Sequence, residues 1–357
     1  MEFKVVVFSR YGRLGASSRL RFFQYYKYVN SLFGSVVTYP LFDDEYLTDL
    51  YSHGVRRKSK VIYSYVKRLF QIITIHKYDV VIIEKELFPY FPATIERLLN
   101  FFNVKYVVDY DDAIFQMYEE SSNWMVKFFL KDKINVVMNN AHIVITGNDF
   151  LFSKAKFYGA KNVTVIPTVI DIDRYVQEST RQEVPTVCWI GSPSTQKYVV
   201  ELKDVLIRVC LENKAKLVLV GATTSVGDFF PDIDLEIIPW EESTEAFIIK
   251  HSDIGIMPIA STNWERGKCG YKLIQYMATG KPVVASNFGA NIDIVKNECC
   301  GLLVNSDDEW YEALTQLIKD RQLSLKLGAS GRERVENIYC IQAQYKQFLK
   351  VLRSSVN

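Results

Sequence analysis

Residues 267–289, GKCGYKLIQYMATGKPVVASNFG, decide how this chain is read. A helix that starts near Gly270 carries Leu273, Ile274 and Met277 on one face, the i, i+1, i+4 spacing of a core-facing stripe. Gly280 stops that helix, and Pro282 cannot extend it. Val283, Val284 and Ala285 then read as a short strand buried on both faces, the kind that parallel sheets use. A helix opening at a glycine directs backbone N–H groups outward, which suits an anion. The same pattern also fits an ordinary helix-to-strand connection, so its neighbours decide its meaning.

Those neighbours are further short apolar runs separated by amphipathic stretches. TVCWIG (186–191), AKLVLVG (215–221), LEIIPW (235–240) and DIGIMP (253–258) precede the signature helix. FKVVVF (3–8), SVVTY (35–39), DVVIIE (79–84), KYVVDY (105–110), HIVITG (142–147) and VTVIP (163–167) form an earlier series. Strands alternating with helices predict parallel βαβ units. The expected fold is therefore α/β, with two Rossmann-like doubly wound domains over residues 1–170 and 171–336. A polar linker near 171–184 joins them, and ligands belong at the carboxyl ends of such sheets. Residues 321–352 read as helical, and 357 residues suffice for two separate cores.

Charge is unevenly spread. Residues 1–170 hold 22 Lys+Arg against 16 Asp+Glu, about +6, and residues 171–357 hold 21 against 25, about −4, which predicts different partners for the halves. The six cysteines lack zinc-ribbon or redox spacing and read as cytosolic thiols, mostly core filler, which predicts a cytoplasmic protein. A strand directly after the N-terminus predicts no export signal, and no apolar run is long enough to span a bilayer as a helix. His53, His76, His142 and His251 have no metal-ligand spacing, and no Ser-His-Asp pattern indicates a hydrolase. Residues 55–73, VRRKSKVIYSYVKRLFQII, contain six basic residues and no acid. That helix either adsorbs to an anionic membrane surface or lays a solvated face over a buried stripe of Val61, Ile62, Tyr65, Leu69 and Phe70.

Loops at strand ends hold the remaining candidates. In GSPSTQKY (191–198), Gly191 permits a tight turn, and Ser194 or Thr195 is placed to cap the next helix, whose start suits a diphosphate. In SRYGRLGASSRLRFF (9–23), Gly12 and Gly15 allow sharp turns and Ser17 is placed as a cap. Arg10, Arg13, Arg19 and Arg21 there favour phosphate or carboxylate groups. GRLGAS is not the G-x-G-x-x-G dinucleotide fingerprint, which disfavours a nicotinamide-dependent oxidoreductase. Asp109, Asp111 and Asp112 end the KYVVDYDD strand and are read as sugar or acceptor contacts, as a structural cap, or as a magnesium site. Glu84 and Glu86 follow DVVII at the same wall.

QYMATGKPVVAS (275–286) closely resembles the donor-binding segment of the group 1 glycosyltransferases (family 4, GT-B fold). There a glutamate, seven residues and a second glutamate precede an Ala-Met-Ala-x-Gly-x-Pro-Val-Val run. The second glutamate position holds Gln275 here and the first holds Gly267, with Glu265 two residues early as a substitute. LEIIPWEESTEAFIIKHSDIGIMPIASTNWERGKCG (235–270) and the Ser-Ser-Arg-x-Arg run at 17–21 resemble a subgroup that makes bacterial surface polysaccharides.

The resemblance implies two domains facing an interdomain cleft, with a C-terminal helix from 337 to 357 that crosses back to the first. It implies transfer of a sugar, with retention, from a nucleotide-sugar donor to a glycan or lipid-linked acceptor. No metal, no cofactor and no nucleic-acid partner is expected, and the location is cytoplasmic, peripheral on the inner membrane face. Gly191, Ser192 (where the family has arginine), Trp240, Gly270, Tyr271, Lys272 and Gln275 fall at donor-binding positions. Lys268 and Lys197 fall where cations meet the leaving phosphates, with Lys272 as the alternative to Lys268, and Asp111 and Asp112 face the reacting sugar or acceptor. Arg19, Gly15 and Glu84 fall on the acceptor side. Trp240 stacks on the base or fills a core. Because Gln275 and Ser192 replace family residues, an inactive sugar-nucleotide-binding subunit is the alternative.

Overall fold

A computed structural model describes residues 3–30, 35–53, 57–177 and 183–356, with the backbone alone for 51–53. Expectations that touch Val55, Arg56, the linker at 178–182 and the His53 side chain lie outside the described residues. The chain divides into two compact units. The first comprises Met1–Thr168, Gly267–Cys269 and Gln344–Asn357, and the second comprises Val169–Arg266 and Gly270–Ala343.

The first unit is built on a six-stranded parallel sheet in the order β2-β1-β3-β4-β5-β6. Its strands are β1 Lys4–Tyr11, β2 Ser35–Phe42, β3 Val80–Glu84, β4 Val107–Tyr110, β5 Ile143–Thr146 and β6 Val163–Val165. Continuous apolar runs make this possible: Val5 to Phe8 and Val80 to Ile83 are buried on both faces, as strands covered by helices on each side must be. Phe8 pairs with Ile83 on one side and Tyr39 on the other, and Asp109 pairs with Glu84 and Ile145. Strand order reverses at β1, which marks its carboxyl end as the ligand-binding edge. The last helix, Ile341–Ser354, adds Phe348 stacked on Tyr25 and Tyr345 stacked on Tyr28 to this unit, at 4.5 and 4.6 Å between centroids.

The second unit repeats the plan in the order β12-β11-β10-β7-β8-β9. Its strands are β7 Thr186–Ile190, β8 Lys216–Val220, β9 Asp234–Ile238, β10 Ile254–Met257, β11 Val283–Ser286 and β12 Gly301–Val304. Here the order reverses at β7. The signature helix is Tyr271–Ala278 with Gly270 as its cap at φ +61°, and Gly280 closes it at φ +73°. Leu273, Ile274 and Met277 are buried as the periodicity requires. The single stripe was too narrow, however: every residue from Leu273 to Ala278 is buried, because the sheet holds one side and helix Arg321–Arg334 packs on another.

Two caps differ from expectation. Gly15, not Ser17, is the N-cap of helix Ala16–Arg21; the helix opens earlier and leaves Ser17 inside it. Helix Lys197–Glu201 starts from Gln196 without a side-chain cap, because the Thr195 hydroxyl is engaged by the backbone N–H and C=O of Ser192 instead.

Candidate functional site

In the second unit three neighbouring strands end in one row. β7 leads into Gly191, β8 into Gly221 and β9 into Pro239 and Trp240. Gly191 N–H donates to Val220 C=O at 2.9 Å, and Gly221 N–H donates to Ile238 C=O at 2.8 Å. Gly221 stands at φ +80°, and a Cβ there would lie 2.3 Å from the Gly191 carbonyl oxygen. A Cβ on Gly191 would meet the Trp189 ring at 2.3 Å and Lys272 Nζ at 2.9 Å. Both positions therefore exclude side chains, which leaves main-chain groups open to close approach. Gly221 was missing from the sequence candidates, although it ends its strand as Gly191 does.

Lys272 lies in the first turn of the signature helix and reaches this row. Its Nζ donates to Thr195 Oγ1 at 3.3 Å and lies 4.6 Å from the Trp189 ring centroid. A helix N-terminus, a lysine ammonium and glycine backbone are thus gathered in one unit, a setting that favours a diphosphate. Beside it the carboxyl ends of β10–β12 border a recess of about 230 Å³ with Ser261, Ser286, Asn287 and Asn305 in its wall.

Gln275 is buried and bonded inward. Its Nε2 donates to Tyr175 OH at 3.0 Å, and Tyr175 OH donates to Glu245 Oε1 at 3.1 Å. The other Glu245 oxygen accepts from Trp240 Nε1 at 2.8 Å, and Arg174 lies 3.5 Å away. Burial drives the Tyr175 phenol far above its ordinary pKa, with Tyr271 and Glu245 adding to the rise, so it stays protonated and can serve Glu245. Trp240 is consequently held by its indole N–H rather than standing free, and Gln275 is the donor that completes this chain.

In the first unit, the carboxyl ends of β1, β3 and β4 bring charges together. Arg21 forms two bonds to buried Asp109, Nε to Oδ2 at 2.9 Å and Nη2 to Oδ1 at 2.6 Å, and Nη1 donates to Ile166 C=O at 2.8 Å. Lys85, in the left-handed region at φ +64°, places Nζ 2.8 Å from Asp111 Oδ1 and 3.5 Å from Asp112 Oδ2. Burial acts to raise the Asp111 pKa, but Lys85 and Arg21 outweigh it and hold the group at about 2. Asp111 is therefore an anion and a hydrogen-bond acceptor at neutral pH. Glu84 Oε2 accepts from Ser18 Oγ at 2.6 Å and Arg10 N at 2.8 Å, and burial raises its pKa despite Lys85. The other oxygen, Oε1, is buried with no hydrogen-bond partner among the described residues. Glu86 is paired with Lys133 and accepts from Tyr118 OH.

Lys268 departs from its expected company. The tripeptide Gly267–Cys269 packs within the first unit: Asn148 Nδ2 donates to the carbonyls of Gly267 at 3.2 Å and Lys268 at 3.0 Å, and Cys269 Sγ donates to Asp111 C=O at 3.2 Å. Lys268 Nζ lies 2.9 Å from Asp112 Oδ1. The cation placed with the glycine row is Lys272, because the chain leaves the second unit for three residues and Lys268 falls among them. Lys197 is exposed on its five-residue helix, 4.9 Å from the Tyr198 ring centroid. Glu265 is buried between Tyr198 and Thr262, which makes it a local anchor rather than a replacement ligand. Arg19 is also buried, with Nη1 donating to Arg13 C=O at 3.3 Å. Gly15 adjoins Tyr11, whose Cβ would lie 2.4 Å from an added Cβ. Lys85, Tyr175 and Glu245 join the sites without a signal in the sequence, while Arg21, one of the four arginines of its loop, takes the carboxylate of Asp109. Nothing in a linear pattern marked the pairing of helix Ala16–Arg21 with β4, or of Tyr175 with Glu245.

Among the described residues no group of three or more His, Cys, Asp or Glu is arranged to hold a metal ion. The acids at 111 and 112 instead face Lys85 and Lys268. On helix Lys58–Ile73 the expectation of a buried stripe fails at Ile62, Leu69 and Phe70. All three are exposed, Phe70 by 67%, while Val61 and Tyr65 are half-buried.

The architecture is the GT-B fold of glycosyltransferases. It superposes on the crystal structure of Anabaena Alr3699/HepE in complex with UDP and glucose with a TM-score of 0.75 and 16% identity, covering 99% of this chain and 100% of that one. Sucrose-phosphate synthase from Thermosynechococcus elongatus gives 0.74 at 15% identity over 99% of both chains. Residues 184–320, the segment that contains QYMATGKPVVAS, match the family described as Glycosyl transferases group 1. Two curated relatives are the Alpha-1,3/1,6-mannosyltransferase ALG2 of Rhizomucor pusillus and the Putative glycosyltransferase YtcC of Bacillus subtilis. The first is 32% identical over 75 residues, 21% of this chain and 16% of that protein. The second is 27% identical over 100 residues, 27% of this chain and 22% of that protein. The chain thus matches less than a quarter of either relative's length.

Proposed function

We propose that the protein is a glycosyltransferase that moves a sugar from a nucleotide-sugar donor to a glycan or lipid-linked acceptor, with retention and without a metal, in surface-polysaccharide synthesis. The observation that carries this reading is the meeting of Lys272, Thr195 and the Gly191–Gly221 strand ends in the segment matched to group 1 glycosyl transferases. UDP in complexes of Alr3699/HepE supports a uridine nucleotide as the first donor to try.

The bond from the anomeric carbon to the diphosphate breaks as the acceptor oxygen bonds to that carbon, and the acceptor proton leaves with the phosphate or to solvent. Negative charge then grows on the departing diphosphate, where Lys272 Nζ and the N-terminus of helix Tyr271–Ala278 stabilise it. Lys197 is a second cation for the same phosphates. In the first unit Asp111 remains ionised and accepts a hydroxyl hydrogen bond, with Asp112 and Lys268 beside it; Arg19, Gly15 and Glu84 shape the acceptor side. The recess bordered by Ser261, Ser286 and Asn287 suits sugar hydroxyls. Location at the inner face of the membrane follows from a lipid-linked acceptor.

The test is incubation with a panel of UDP- and GDP-sugars, with and without lipid-linked acceptor, following nucleotide release and the anomeric configuration of the product by NMR. Release of nucleotide with a product of unchanged configuration supports the proposal. Binding without release in any combination identifies the inactive subunit, and inversion removes the retaining mechanism.

A further inference from the structure

The first unit exposes more large apolar residues than a solvated surface needs. Helix Trp124–Leu130 turns Trp124, Met125, Phe128 and Phe129 outward, with Trp124 71% exposed and Phe128 70%. This segment lacks the basic composition that singled out helix Lys58–Ile73, yet its outer face is more aromatic. Between the two helices runs the loop after β3, which exposes Tyr90 and Phe91. The loop is tied to both sides: Tyr65 OH of helix Lys58–Ile73 donates to Pro89 C=O at 2.6 Å, and Tyr90 N–H donates to Tyr118 OH at 3.1 Å. Tyr118 lies on helix Gln116–Glu119, which packs on Trp124–Leu130. Apolar patches of this kind mark an interaction surface.

We infer that this aromatic rim inserts into the headgroup and acyl boundary of an anionic bilayer. Three features select lipid as the occupant. Trp, Phe, Tyr and Met side chains suit a boundary with one wet and one apolar side. Exposed Lys58 and Lys67 on one helix and Lys127 and Lys131 around the other supply attraction to anionic headgroups, against Glu120 and Asp132 as the exposed acids next to the aromatic helix. The rim also grows from the loops after β3 and β4, the same carboxyl edge that presents Asp111 and Asp112, so a lipid-anchored acceptor would arrive beside those carboxylates. This last point rests on the function proposed above. Among the described residues no helix is long and apolar enough to cross a membrane, so the rim lies in the interface.

The test uses the full chain, flotation with vesicles of phosphatidylcholine containing 30% phosphatidylglycerol, and the triple variant Trp124→Ser/Phe128→Ser/Phe129→Ser. The substituted side chains are exposed, and an unchanged thermal midpoint checks the fold. The unaltered protein floats with anionic vesicles, its Trp124 emission shifts to the blue, and the variant loses at least tenfold in partitioning while keeping donor hydrolysis in detergent-free buffer. Lys58→Glu/Lys67→Glu lowers binding to anionic vesicles and leaves the blue shift of the residual bound fraction. Equal flotation of the triple variant overturns the inference, as does failure of the unaltered protein to bind vesicles. A concentration-dependent dimer that the triple variant abolishes, without vesicle binding, overturns it in favour of a second copy. Rim-dependent flotation without any nucleotide-sugar turnover retains the membrane surface and removes the enzymatic proposal instead.

Discussion

The two units share a strand plan but differ in what they expose and what they bury. The second ends three strands in a row of tight backbone turns with one lysine reaching them, and its buried polar chain runs Trp240–Glu245–Tyr175–Gln275. The first buries ionic pairs under its strand ends and shows an aromatic exterior. A sheet edge built of backbone can hold the invariant part of a donor, its diphosphate, while a wall of fixed charges and an apolar surround can adapt to a variable acceptor. Substitutions in each unit test that division.

The largest effect is expected at Arg21→Ala, which leaves Asp109 buried without its partner and costs about 3–5 kcal/mol. Chemical denaturation measures it, and Arg21→Met/Asp109→Asn, which removes both charges, recovers most of the loss. If the single and double variants are equally destabilised, the pair is not what holds β4 to helix Ala16–Arg21.

Lys272→Ala follows. Removing a preorganised charge from the leaving group lowers turnover by about 100-fold or more, with a small change in melting temperature. Lys268→Ala removes a half-exposed pair with Asp112 and costs less than about 1 kcal/mol of stability, so its effect on donor binding stays small while acceptor-dependent rates fall. Similar donor affinities for the two variants would erase the distinction between the units.

Gln275→Glu, the change toward the family residue, destabilises by about 1–3 kcal/mol at pH 7.5. The single Tyr175 hydroxyl proton already goes to Glu245, so a carboxylate at 275 meets an acceptor and a second buried acid. The new group has a folded pKa above its unfolded value, so the penalty is full at pH above the folded pKa and fades as pH falls through it. Thermal melts at pH 7.5 and 5 check this; a penalty that grows in acid contradicts the hydrogen-bond assignment.

The sheet plan was legible because buried parallel strands are continuous apolar runs and their helices end at glycine and proline, as at Gly280 and Pro282. Positions in the signature segment were legible for the same reason: Gly270 and Lys272 sit at fixed offsets from a helix start. Lys268 was read by that same logic, but the three-residue excursion that puts it in the first unit beside Asp112 leaves no trace in spacing. Ser17 and Ser194 looked like caps because local sequence offers them, whereas Gly15 and the Ser192–Thr195 turn had already satisfied the backbone. Tyr175 and Glu245 lie 70 residues apart, and only the folded second unit brings the phenol to the carboxylate. The aromatic rim was invisible because exposed and buried phenylalanines read alike.

The most direct measurement is equilibrium binding of UDP-sugars by calorimetry to the unaltered protein, Lys272→Ala and Lys268→Ala. Placement of the diphosphate in the second unit predicts micromolar-range binding that weakens at least thirtyfold with Lys272→Ala and no more than threefold with Lys268→Ala. Full affinity in Lys272→Ala, or a larger loss in Lys268→Ala, would contradict it.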